Sequence, residues 1–236
     1  MSVRIPVPVA QARHAGLYLD KFIAADKQKE QGAELAAVAS SSGFPWNSLV
    51  YRRAFARWEH YWKNQGGRTV CLRATVRTRL AIGLGAESVT ENGLRLHFTY
   101  GTPLIPGSAI KGAMCARLRD VNFPEREDAQ KLLFGEPDFA GDALYADAWW
   151  VPSAAKPLSL DVLTPHHQQY QARLGPPTDF DEPVPVHFLT VRGTFLFVIE
   201  APTQAWADFA RDLLKDTLQN HGLGAKRNAG YGLFQV

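Results

Sequence analysis

The chain has 236 residues, of which 46% are hydrophobic and 21% charged, with 26 Lys+Arg against 23 Asp+Glu and a formal net charge of +3. That composition excludes a disordered chain, which lacks the apolar surface to offset its ordering entropy, and glycine and proline without a triplet period exclude collagen. A surplus of +3 is too small by itself to mark a nucleic-acid binder.

No apolar run reaches the roughly 18–20 residues of a bilayer span. The opening stretch to Val9 holds Pro6 and Pro8 and no clear cleavage site, a poor signal peptide. Two cysteines, Cys71 and Cys115, are too few to staple the chain or to make a zinc site alone, so a reducing, cytoplasmic setting is expected. Arginine outnumbers lysine 17 to 9, which suits phosphate recognition but also follows from a genome rich in G and C.

Residues 1–66 read as a helical extension packed on the main domain, and 67–236 as that domain. Leu17, Leu19, Phe22 and Ile23 are apolar positions of a first helical region, and Ser40 to Pro45 is a linker. A second helix is predicted over 47–65. Its Tyr51, Phe55, Trp58 and Trp62 form a one-sided aromatic stripe that reads as core, while Arg52, Arg53 and Arg57 fall off the stripe and read as a solvated face.

Over 69–82 the period changes to two. Val70, Leu72, Ala74, Val76, Leu80 and Ile82 share one face of a strand; Arg73, Arg77 and Arg79 share the other, open to RNA or to neutralising carboxylates. Residues 87–100 read as a hairpin turning at Glu91-Asn92-Gly93. Pro106-Gly107 then leads into a helix with Ser108 as its N-cap and Ile110, Ala113, Met114 and Leu118 on one face. Strands are expected at about 143–151, 158–163 and 188–200, a helix opening at Thr203, and a last strand over 230–236. The stretch 164–187, with five prolines and no periodicity, reads as a loop for subunit contact or a thumb against a duplex. From residue 69 the order strand, helix, strands, helix, strand predicts an α+β fold: a ferredoxin-like (RRM-like) antiparallel sheet with insertions, helices on one face and a ligand face on the other.

Two segments carry chemistry. Lys111 is read in the first turn after Ser108, where a cation opposes the helix dipole unless it helps Ser108 and the helix N-terminus hold an anion. His221-Gly-Leu-Gly224-Ala-Lys226-Arg227-Asn-Ala-Gly230-Tyr-Gly232 sets Lys226 and Arg227 among glycines, Gly222 and Gly224 included, that permit positive φ and close backbone approach. It is neither a P-loop nor a Rossmann fingerprint.

Ile105-Pro-Gly-Ser-Ala-Ile-Lys-Gly112 followed by Gly222-Leu-Gly-Ala-Lys-Arg-Asn-Ala-Gly-Tyr-Gly232 resembles the RAMP superfamily of CRISPR RNA-binding proteins. His14-Ala-Gly-Leu-Tyr-Leu-Asp-Lys-Phe22, Leu132-Leu-Phe-Gly135, Asp161-Val-Leu-Thr-Pro-His166, Pro176-Pro-Thr-Asp179 and Pro185-Val-His-Phe-Leu189 resemble the family of sixth subunits of the Cmr complex, the type III-B RNA-targeting effector. The resemblance implies a non-catalytic, cofactor-free subunit in antiviral defence. It would bind guide RNA towards the 3′ end, with target RNA as a further candidate, beside other RAMP-type and small helical subunits. Ser108, Lys111, Gly222, Gly224, Lys226 and Arg227 would line the RNA surface, with contacts to backbone rather than base, and the strand alternation adds Arg73 and Arg77 as candidates beside them.

Three rivals stand beside it. A metal-independent endoribonuclease that processes guide precursors would need a histidine general acid or base, with His166, His167, Tyr170 and His221 as candidates. A metal site would draw on His166, His167 or His187 with Cys71 or Cys115, although no close ligand spacing is present. A pure scaffold would contact neighbouring subunits and barely touch RNA.

Overall fold

Tyr51, Phe55, Trp58 and Trp62 turn one side of a helix into an apolar face, and a sheet is built against it. The computed structural model describes residues 7–23, 28–90, 92–121, 125–164, 173, 175–176 and 185–236. Three helices come first: α1 (Ala15–Lys21), α2 (Gln28–Ser40) and α3 (Leu49–Lys63). Ser48 caps α3 by accepting the Tyr51 N–H. Strand β1 (Thr69–Val76) follows, then the two-residue β2 (Leu104–Ile105), α4 (Gly107–Asp120), α5 (Arg126–Phe134), and the small pair β3 (Gly135–Glu136) and β4 (Phe139–Ala140). Short strands β5 (Leu144–Tyr145) and β6 (Ala148–Trp150) precede the longer β7 (Leu158–Leu163), β8 (Val186–Val191) and β9 (Thr194–Glu200). Helix α6 (Gln204–Asp216), capped by Thr203, and strand β10 (Phe234–Gln235) complete the chain.

The main sheet runs β10-β1-β9-β6-β2, with β5 also on β9, and its pairings are antiparallel. Register places Ala74 beside Phe195 and Phe195 beside Trp150, so the even residues of β1 share a face with large apolar side chains. That face is the core: Val70, Ala74, Val76, Phe195, Phe197, Trp150 and Phe234 pack in one cluster with Ile110 and Met114 of α4 and Ala210 and Leu214 of α6.

The opposite face is covered rather than open. Arg73, Leu196 and Trp149 stand in one row across it. Trp149 stacks on Trp58 of α3 with centroids 4.9 Å apart, and Tyr51 Oη donates to the Trp150 carbonyl at 2.5 Å. Helices therefore lie on both faces, because the aromatic stripe of α3 buries more apolar surface against the sheet than solvent would permit. A second layer, the β7–β8 pair, packs against α2, where Gly32 admits the His187 ring: a Cβ there would lie 2.7 Å from His187 Nδ1.

Other expectations shift. The first strand ends at Val76, since its backbone turns to meet the Gly193 carbonyl and the 232–233 segment. The expected hairpin over 87–100 is instead a turn at 97–101: Gly101 N–H donates to His97 O, and Leu96 pairs with Pro103. Strand 188–200 divides at Gly193 (φ +106), whose hydrogen faces the Trp150 indole where a Cβ would clash. The last strand shrinks to β10. Residues Glu91, His166, His167 and Tyr170 lie outside the described residues.

Candidate nucleic-acid interface

Ser108 is not the cap of α4. Pro106 occupies that position in extended backbone, and the Gly107 N–H donates to Asp147 Oδ1 at 2.8 Å. A Cβ on Gly107 would lie 2.0 Å from the Tyr145 carbonyl oxygen, so the helix start is pressed against the β5–β6 connection. A carboxylate of the chain itself thus already serves one N-terminal donor that the sequence offered to an outside anion. Lys111 is the fifth helical residue, just past the first turn, and half-buried; Ser108 is exposed. The misplacement argument for Lys111 falls, although among the described residues no carboxylate pairs with it.

The glycine-rich segment is a clamp. Leu223 N–H donates to Gly232 O, Ala225 N–H to Ala81 O and Gly232 N–H to Arg79 O, at 2.8, 2.8 and 2.7 Å. Gly232 (φ +77) and Gly224 (φ +82) are required: a Cβ would lie 1.8 Å from Leu223 O at the first and 2.3 Å from Ala81 O at the second. Gly222, also at positive φ, packs beside Gly232. These glycines let two backbones interlock, which lifts the residues between them to the surface. Lys226 takes left-handed backbone (φ +59), a conformation that strains a side-chain-bearing residue. Its ammonium stands 5.7 Å from the Phe188 ring centroid. Phe188 packs on Tyr231, and Tyr231 Oη donates to Asp161 Oδ2 at 2.7 Å.

Asp161 ties this cluster together. Arg79 reaches its Oδ2 at 2.5 Å, and the Val162 N–H its Oδ1 at 3.0 Å. Burial would raise its carboxyl, but the bonds from Tyr231, Arg79 and Val162 outweigh that and hold it below its ordinary value. Arg227 is exposed and donates to His221 Nε2. The proton of neutral His221 then sits on Nδ1, which faces Asp120 Oδ2 at 3.7 Å. Burial and the Arg227 cation push this imidazole below its usual value.

The arginine ladder of β1 is mostly neutralised. Arg73 donates to Glu59 Oε1 at 2.7 Å, and Glu59 also takes Lys63 at 2.8 Å. Burial would raise Glu59; those two cations lower it by more. Arg77 is exposed and, among the described residues, unpaired. It stands beside the loop, with its backbone N–H on Leu233 O. Lys226, Arg227 and Arg77 therefore belong to one stretch of surface. Lys111 does not join them closely: Arg227 meets His221 beside Asp120, nine residues and about 13 Å along α4 from Lys111 at 1.5 Å per residue.

Sequence reasoning missed Asp147, Asp161, Tyr231 and Phe188 as the groups that place the cations. Asp161 and Tyr231 were visible inside the motifs; their contact across 70 residues was not. Elsewhere, a cleft of about 960 Å³ lies between α1 and residues 86–99, lined by leucines with His14, His97 and Asp147. Burial lowers His97 against the opposing pull of Asp147. Among the described residues, no three His, Cys, Asp or Glu side chains gather as a metal site would need.

The comparisons with known proteins point one way. The chain is 29% identical to the CRISPR system Cmr subunit Cmr6 of Pyrococcus furiosus, across 66% of this chain and 64% of that one. It is 27% identical to the corresponding Cmr6 subunit of Saccharolobus solfataricus, across 69% and 56%. The chain thus spans less than two thirds of the length of these relatives. One chain of the type III-B Cmr-beta complex bound to cognate target RNA superposes with a TM-score of 0.69 at 25% identity, covering 91% of this chain and 76% of that one. The RAMP superfamily model matches residues 73–235, from β1 through α4, α6 and the glycine clamp to β10, and on that match the chain belongs to the RAMP superfamily.

Proposed function

We propose that this chain is a non-catalytic, RNA-binding subunit of a type III-B CRISPR effector of the Cmr kind, holding guide RNA towards its 3′ end beside neighbouring subunits. The observation that carries the reading is the superposition on a chain of a Cmr complex bound to target RNA, over 91% of this protein. The strand order β10-β1-β9-β6, with α4 and α6 as the connecting helices, supports a ferredoxin-like core, the layout in which the last strand returns beside the first.

The RNA surface is Lys226 and Arg227 on the glycine clamp with Arg77 beside it, and Lys111 at a distance. Side chains of this kind meet phosphates and leave sequence to base pairing. Among the described residues, the nuclease reading draws support only from the Asp120–His221 pair, yet the nitrogen a general base would use accepts from Arg227.

Reconstitution with guide RNA and neighbouring subunits tests the proposal. Wild type retains the RNA uncut; Lys111→Ala, Lys226→Ala and Arg227→Ala together release it with assembly intact. Undiminished retention by the triple variant would place the RNA surface elsewhere or leave the chain a scaffold, and discrete cleavage products would establish the nuclease.

A further inference from the structure

Helix α3 presents a second basic surface, ahead of the segment that matches the RAMP family. Tyr51, Ala54, Phe55 and Trp62 are buried, so Arg53 and Arg57, one turn apart, point away from the sheet. Arg52 flanks them, also exposed, and Tyr61 stands on the other flank with 55% of its surface open to solvent. The one carboxylate of the helix, Glu59, is turned inward and held by Lys63 and Arg73. Among the described residues, no carboxylate lies within ion-pair reach of Arg52, Arg53 or Arg57.

Like charges one turn apart destabilise a helix, and a folded chain ordinarily intersperses acids among them. Here three guanidinium groups in six residues go uncompensated, next to an exposed aromatic ring. Guanidinium forks suit phosphate oxygens, and an exposed ring gives an unpaired base a stacking platform. We propose that this stripe of α3, Arg52, Arg53 and Arg57 with Tyr61, is a second contact for single-stranded RNA, with phosphates on the arginines and a base on the tyrosine.

The inference rests on the reading of the chain as an RNA-binding subunit and extends it to the N-terminal helices. The exposed Leu49 and Val50 at the start of α3 suit a protein neighbour instead, which is the competing occupant. Polyanion binding is favoured because three charges without partners gain more from phosphates than from an apolar patch.

The test is binding of an unstructured single-stranded RNA by the full chain across a salt series, read for four proteins and, as a fifth, Tyr61→Ala. The four are wild type, Arg52→Gln/Arg53→Gln/Arg57→Gln, Lys226→Ala/Arg227→Ala, and a control that removes the same number of cations where they are ion-paired, Lys131→Gln/Arg211→Gln/Lys215→Gln. At about 0.7 in log–log slope per phosphate on a single strand, the α3 variant loses about 2 units of slope and binds on the order of 100-fold more weakly at 0.1 M salt, converging on wild type towards 1 M. The control keeps the wild-type slope. Tyr61→Ala weakens binding with no change of slope. An α3 variant that matches the control while the Lys226/Arg227 variant weakens overturns this inference alone, and leaves α3 to a protein neighbour. No binding by wild type overturns the RNA reading itself.

Discussion

Four arginines run along β1 and its flanks, and three stand on α3, yet the two sets are in opposite electrostatic states. Arg68, Arg73 and Arg79 face Glu200, Glu59 and Asp161 at 3.9, 2.7 and 2.5 Å, which leaves Arg77 without a carboxylate among the described residues. Among the described residues, the arginines of α3 face no carboxylate. Cations that look alike in sequence thus divide into those that hold the fold and those available to a partner. What separates them is whether the chain supplies its own carboxylate, a tertiary matter.

Substitutions can break that division, and the largest effect belongs to the backbone frame that presents the loop. Gly232→Ala forces a Cβ into the Leu223 carbonyl at positive φ, and should cost about 3 kcal/mol or more in urea unfolding. An unchanged midpoint would mean that the clamp is not what fixes the loop. Next comes Asp161→Asn, which removes the shared anion of Arg79 and Tyr231 in a half-buried site and should cost about 2 kcal/mol. RNA binding should weaken with it, because Tyr231 helps to set the Phe188 ring beneath Lys226.

Acid should act on the same compensated set. Asp161, Glu59 and Asp216, the last held down chiefly by Arg117, all have carboxyls below their ordinary values. A carboxyl depressed in the folded state contributes its stability above the unfolded value and loses it as pH falls through the folded one. Unfolding free energy should therefore decline from about pH 4 downward, with a shallower decline in Asp161→Asn. An identical decline in both proteins would remove Asp161 from the account.

The smallest effect on stability sharpens the comparison most. Glu59→Gln frees Arg73 and Lys63 beside α3, at a cost below about 1 kcal/mol because Arg73 is half exposed. If uncompensated cations bind the polyanion, this variant should bind RNA several-fold more tightly with a steeper salt slope. Unchanged binding would show that the β1 cations lie outside the RNA path.

Local rules carried much of this far. The aromatic stripe placed α3 within two residues at each end, period-two alternation placed β1, and the cap at Thr203 placed α6. Motif residues placed the glycine loop and its cations. What stayed hidden depends on contacts between distant segments. Asp147 takes the helix start that Ser108 was expected to cap, the aromatic face of α3 covers the sheet surface expected to stay open, and Glu59 and Asp161 silence two arginines of the ladder. The glycines of the loop permit the positive φ and close backbone approach expected of them, but the backbone they admit is the chain's own at Arg79 and Ala81.

The most direct measurement is photo-cross-linking of guide RNA to the protein in its assembled complex, with the attached peptides mapped by mass spectrometry. Cross-links on the peptide holding Lys226 and Arg227 and on the one spanning Arg52 to Tyr61, with few at Arg73 and Arg79, are the predicted result. Cross-links concentrated on the compensated arginines of β1, or none above the level of an unrelated basic protein, would contradict the claim that this chain meets RNA through the cations it leaves unpaired.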